Sequence, residues 1–214
     1  MQVAHHTFRS RDFVGGDLAL DFVNTVTARD TNAIDWIDSY DALLRWAAST
    51  GAFTKKDLAS LAALARADAK RAVAALRRAR ALRDAFCSVF YSLIAGRAPS
   101  AMPLSLIEEA SLAAANASNL GFGGGRVAVH WSVAKSGLDL IAHVVTTRAL
   151  ALLESLPDSR LRLCAGVECG WIFIDTSKNG KRRWCDMATC GNAEKARRFA
   201  AVHSKSAGKS GSAD

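Results

Sequence analysis

Four cysteines constrain this chain more than any other feature. Cys164 and Cys169 form one Cys-x4-Cys pair, Cys185 and Cys190 form a second, and fifteen residues separate the two. Thiolates suit a structural zinc ion, and four of them complete its tetrahedral shell. Such a shell leaves no position for a catalytic water, so a single zinc here is expected to hold the fold. The other readings of four cysteines so spaced are two disulfides or four core thiols. A fifth, Cys87, lies between Phe86 and Phe90 on an apolar helix and reads as a buried thiol.

The opening residues, Met1 to Phe13, are polar and predict no secretory signal. No run reaches the roughly 18 apolar residues that span a bilayer. Asp139, His143 and Arg148 interrupt the most apolar stretch, 138–153. A cytoplasmic protein without a membrane partner is therefore expected, and in a reducing compartment clustered cysteines bind metal more often than they pair.

Charge is distributed as unevenly as cysteine. The formal net charge is +8, yet residues 1–159 hold 17 Lys and Arg against 15 Asp and Glu, whereas residues 160–214 hold 11 against 5. The basic character belongs to the quarter that carries the four cysteines. That points to a polyanion, most simply DNA. Half the residues are apolar, enough for a sizeable core.

Along the chain, a glycine turn at Gly15 and Gly16 opens a mixed run to Val26, readable as helix or strand. Ile37, Tyr40, Leu43, Leu44 and Trp46 recur near helical spacing and predict a helix over 35–48 that stops at Gly51. Thr54 and Asp57 resemble a capping box before an Ala- and Leu-rich helix. A long helix is expected from about Asp68 to Ile94, ending near Gly96. Pro99 and Pro103 mark a linker, and Ser105 with Glu108 a second capping box. Gly121 to Gly125 reads as a loop. Val127, Val129, Trp131 and Val133 alternate as in a strand. A largely buried helix follows over 137–156, with Pro157 as its stop.

The fold class is α+β. A mainly helical domain over 1–158, read as a sensor or dimerisation unit of a homodimer, precedes a treble-clef-like zinc module over 159–204. A Ser-, Gly- and Lys-rich tail over 205–214 reads as disordered. Within the module, Gly166 and Gly170 permit a tight turn at the first thiol pair. Trp171 to Ile174 reads as a strand, Asn179-Gly180 as a turn, and Lys181 to Trp184 as the returning strand. Cys190 opens a helix, where free amides favour a thiolate. Lys178, Lys181, Arg182 and Arg183 on the hairpin, with Lys195, Arg197 and Arg198 on the helix, are the candidate nucleic-acid contacts. Contact with a protein, or a basic surface kept for solubility, would use the same charges.

The pair Cys164-x4-Cys169, followed by Lys181-Arg-Arg-Trp-Cys185-Asp-Met-Ala-Thr-Cys190-Gly-Asn192, resembles the CGNR zinc finger family. The run from Gly15 to Val26 is similar to the opening of the ABATE domain that usually precedes this finger. Together the resemblances cover nearly the whole chain. They imply a stress-related transcription regulator whose finger binds one zinc and DNA. The namesake motif ends in Arg, but Ala193 stands here in that place. Arg197 and Arg198, one turn on, could replace a phosphate contact but not a fixed structural one.

Asp17, Asp21, Asn24 and Thr25 could line a pocket for a small-molecule effector, or could serve only in caps and turns. Trp36, Trp46 and Trp131 read as core. Lys70, Arg71, Arg77, Arg78, Arg80 and Arg83 read as a solvated helix face, or as a second nucleic-acid face. His5 and His6 fall in an expected frayed terminus, and His130 and His143 read as structural. No phosphate loop, nucleophile elbow or HExxH motif is present, so no enzyme is expected. The alternative to a DNA-binding regulator is a ligand-binding or scaffold protein whose zinc module makes protein contacts.

Overall fold

Local signals start and stop most of the helices. The computed structural model describes residues 1–123, 125–155 and 160–207. Helix α1 (Leu18–Val23) begins where Asp17 accepts a hydrogen bond from the Ala19 amide. Helix α2 (Tyr40–Thr50) is capped by Ser39 and ends at Gly51, whose φ of 70° suits glycine. Thr54 caps α3 (Lys55–Ala67) through the Asp57 amide, and Asp68 caps α4 (Ala69–Ile94). The expected boundaries of α3 and α4 hold because each rests on a cap within a few residues of it.

Helix α5 runs Ala101–Asn116 and so starts before Ser105. Pro103 lies in its first turn, where a missing N–H costs nothing, rather than in a linker. Strand β4 (Ser118–Gly123) takes in glycines expected to be loop and pairs antiparallel with β5 (Arg126–Trp131). The single helix expected over 137–156 is instead α6 (Val133–Ser136), a tight turn at Gly137–Asp139 and α7 (Leu140–Ser155). Its expected stop, Pro157, and the expected domain boundary at 158 lie outside the described residues.

The core forms where α4 crosses α1, α2, α5 and α7. Phe86 and Phe90 of α4, Leu20 and Phe22 of α1, Leu43 and Trp46 of α2, and Ile141 and Val145 of α7 are at most 1% exposed. The Val133–Ser155 segment is long and apolar enough to cross a membrane by length and composition. Half of that window is buried against the protein's own helices, as in a core helix.

Three short strands sit beside this core. β3 (Ile34–Asp35) pairs parallel with β1 (Gln2–Val3) and antiparallel with β2 (Val26–Thr27). The N-terminus is therefore not frayed. His6 stacks on Trp36 at 3.8 Å and bonds Asp12 at 2.8 Å. Behind the strands, Arg83 and Asp35 are both fully buried and joined by two hydrogen bonds of 2.8 Å. Arg83 also donates to the Thr25 hydroxyl at 3.1 Å, and Arg80 reaches Asp35 at 3.1 Å. Arg78 binds Asp139 with two hydrogen bonds. Half of the six cations read as a solvated face are thus committed to carboxylates, because amphipathic spacing does not reveal a partner distant in sequence.

The cysteine-bearing segment is fused to this domain. β6 (Leu161–Leu163) and β7 (Ile172–Ile174) form an antiparallel hairpin around the first thiol pair. Leu161 and Ile172 enter the main core. Asn24, 1% exposed, donates to the Ile172 carbonyl at 2.8 Å and accepts from its amide at 2.9 Å. Gly15 O accepts from Ile174, Cys169 O from Ala28, and Gly170 O from the Tyr91 hydroxyl. Asn24→Ala would leave a buried amide and a buried carbonyl of β7 unpaired. It is expected to lower stability by about 2–4 kcal/mol in denaturant titration, whereas Asn119→Ala on the exposed hairpin should change little.

Candidate metal centre and basic surface

The four thiols converge because two backbone turns and one short helical turn present them to one point. Cys164 directly follows β6, and the chain reverses before Cys169 through Gly166. A Cβ on Gly166 would lie 3.1 Å from the Cys190 sulfur and 3.2 Å from Cys169 Cβ, so only glycine fits easily. Gly170 follows with φ of 68°. The Asp175 carboxylate then shapes the next loop by accepting from the Ser177 and Arg182 amides. That loop carries Cys185. A wide turn at Met187–Gly191, capped by Asp186, carries Cys190 into helix α8 (Asn192–Ala207).

Lys181 to Trp184 does not form the expected returning strand. The Arg182 amide is held by Asp175, and the Arg183 carbonyl accepts from Ala165. The strand that pairs with β7 lies upstream, at β6. Helix α8 extends to Ala207, inside the stretch read as a tail, and residues 208–214 lie outside the described residues.

All four sulfurs lie within 4.8 Å of one another. Cys169–Cys185 and Cys185–Cys190 are each 3.7 Å apart. A tetrahedral zinc with Zn–S of about 2.3 Å places its sulfurs about 3.8 Å apart, so the donor set fits the ion in number, type and spacing. The thiols are not disulfide-bonded. Hydrogen bonds from the Cys169, Cys185 and Cys190 thiols, joined by the Cys185 amide, pull the Cys164 thiol far below its usual range. A metal ion replaces the shared protons of such a cluster. Around the sulfurs, Trp171, Phe173 and Trp184 pack with Val14 and Trp36 of the first domain.

Of the candidate basic contacts, Lys178, Lys181, Arg183, Lys195, Arg197 and Arg198 are exposed. Arg183 lies over the Trp184 ring at 5.2 Å, and Arg197 and Arg198 share Glu194. Arg182 is different. It is half-buried, lies over the Phe173 ring at 4.6 Å, and donates to the carbonyls of Trp184 and Cys185. Its guanidinium braces the loop that presents Cys185. Arg162 and Arg160, which sequence reasoning passed over, brace the same loop through the carbonyls of Gly180 and Ser177. Only their place next to Cys164 could have suggested it.

The four residues considered for an effector pocket are divided between two environments. Asp17 and Asp21 line an open cleft of about 460 Å³ with Ser10, Ser49, Thr50 and Arg148. Asn24 and Thr25 are buried away from it, one docking β7 and the other meeting Arg83. Asp17 pairs with Arg148 at 2.9 Å. Burial, with a smaller push from Asp17, raises Asp21 to about 7 despite a bond from the Gly15 amide. A folded value above the unfolded one stabilises the fold fully below about pH 4, and the effect is lost as pH rises through 7. Wild type should therefore lose roughly 1–3 kcal/mol more than Asp21→Asn between pH 4 and pH 8, read from denaturant midpoints at each pH. Elsewhere, burial pushes the Cys87 thiol up to about 11, as suits an inert core thiol.

Fold and site together define a helical domain onto which a four-thiolate zinc module is docked. Residues 160–203 match the model of the CGNR zinc finger. Residues 16–156 match the ABATE model, described as "Putative stress-induced transcription regulator". The chain belongs to the ABATE family, with a CGNR finger following that domain. No curated protein matches it. Cys164, Cys169, Cys185 and Cys190 hold one structural zinc.

Proposed function

We propose that this protein is a DNA-binding transcription regulator of the reducing cytoplasm, with no catalytic role. Its zinc sets the position of a basic surface of treble-clef type. One observation carries the reading: the loop before Cys185 and the helix after Cys190 are tied to the same four sulfurs, and both carry exposed cations. Lys178, Lys181 and Arg183 stand on the loop, and Lys195, Arg197 and Arg198 on α8. These are suited to phosphate contacts, which give affinity without reading sequence. The description of the matched ABATE model supports the same direction. Arg182 serves the loop itself and belongs outside the contact set.

The test is fluorescence anisotropy of holo-protein on a random duplex. Six phosphate contacts predict an affinity loss of about 10³-fold between roughly 50 and 200 mM salt. Reversing Lys178, Lys181 and Arg183 to Glu is expected to weaken binding at least tenfold with the melting temperature unchanged. Absent binding, or binding indifferent to salt and to the reversal, defeats the reading. It would favour the alternative, a zinc module that makes protein contacts, which draws support from the close docking of β7 on α1.

A further inference from the structure

We propose that the cleft between α4, α5 and α7 is a binding site for a small ring-bearing amine. The cleft measures about 380 Å³, within the range of small-molecule sites. Its walls are apolar, formed by Leu82 of α4, Leu106, Ala110 and Ala113 of α5, and Ala142 of α7. Walls of this kind accept a flat hydrocarbon body and gain by removing its surface from water.

The polar groups around the cleft choose the charge of the ligand. Arg78 would attract an anion, but its guanidinium is already held by both oxygens of Asp139, at 3.0 and 2.8 Å. That pair is neutral as a unit and closes one end. Glu109 stands on the rim, exposed, and has no ion-pair partner among the described residues. Burial lowers the affinity of His143 for a proton, and its buried Nδ1 has no hydrogen-bond partner. The Thr146 hydroxyl, by contrast, is buried and spent on the Ala142 carbonyl. The lining therefore carries one uncompensated negative charge together with unused hydrogen-bonding capacity. A cationic N–H donor on an apolar ring matches both, and a carboxylate matches neither.

This cleft does not include Asp17, Asp21, Asn24 or Thr25. The inference also stands apart from the nucleic-acid reading, since its test contains no DNA.

Three probes of similar size, each a phenyl ring with one polar group, separate the charges: 2-phenylethylamine, phenylacetate and benzyl alcohol. Titrated into ¹⁵N-labelled holo-protein, the amine should give saturable shifts at Ala110, Ala113 and His143, with at least fivefold tighter binding than phenylacetate and benzyl alcohol between them. Glu109→Gln, on an exposed position, should remove the preference for the amine over benzyl alcohol. Ala113→Phe should abolish saturable binding of all three. The inference is overturned if none of the probes saturates, if phenylacetate binds best, or if Glu109→Gln leaves the order unchanged. Shifts confined to other parts of the surface would overturn it as well.

Discussion

Stripping the zinc with a chelator, or replacing Cys185 with Ser, is expected to unfold residues 160–207 and to lower the melting temperature of the whole chain. A structural zinc contributes on the order of 10 kcal/mol to the folding of modules of this size. The four sulfurs are the centre of a small cluster that includes Trp171 and Phe173. Without the ion, mutual repulsion of thiolates or desolvation of thiols remains, and no second core replaces it. The damage should spread, because Leu161 and Ile172 belong to the main core and Asn24, Ala28 and Tyr91 bond the module directly. A loss of even about 5 kcal/mol would lower the midpoint by roughly 10–20 °C in a chain this long. Circular dichroism melts with and without chelator read this out, and added zinc should restore the curve. An unchanged melt would mean that the sulfurs do not organise the fold.

The second large effect is expected at Asp35. Asp35→Ala leaves the Arg83 charge fully buried with only the Thr25 hydroxyl and the half-exposed Asp84 near it. Breaking a buried pair from one side costs about 3–5 kcal/mol. The Ile37 amide, which donates to the same carboxylate at 3.0 Å, loses its acceptor too. Replacing both partners, Asp35→Leu with Arg83→Met, should recover most of the loss, since a matched apolar pair leaves no stranded charge. The pair also carries a pH signature. Burial raises Asp35, but the bonds and charge of Arg83 outweigh it and hold the carboxyl below its usual range. That stabilisation is present above the unfolded value near pH 4 and is lost as pH falls below it. Urea titrations of the single and double variants at neutral pH and at pH 3 test both statements. A double variant no better than the single would show that the pair itself, rather than the avoided charge, supplies the stability.

Both effects bear on what a sequence reveals. The thiol cluster was legible because its chemistry is written in spacing, and because two glycines stand where the turn must be tight. Helix starts at Thr54 and Asp68 were legible because a cap needs only a side chain and an amide three residues on. Pro103 misled because proline is tolerated in a first turn as readily as in a linker. The partner of β7 misled for another reason: Leu161–Leu163 is three residues long, and its pairing is set by closure of the knuckle rather than by a pattern. Lys181–Trp184 follows a turn signal and so reads as a returning strand, but Asp175 and Ala165 take up its backbone. Arg83 and Asp35 are 48 residues apart, and nothing local to either announces the other. The same holds for Asn24, which lies 148 residues from the strand that it docks. Arg182 shows that a basic run can be divided in purpose, with one guanidinium turned inward to brace the loop while its neighbours face solvent.

The most direct measurement is X-ray absorption at the zinc edge on protein purified without chelator, with metal content determined on the same sample. The account predicts one zinc per chain, coordinated by four sulfurs at about 2.3 Å and by no nitrogen or oxygen. Substantially less than one equivalent, or a shell containing a light atom in place of a sulfur, would contradict it.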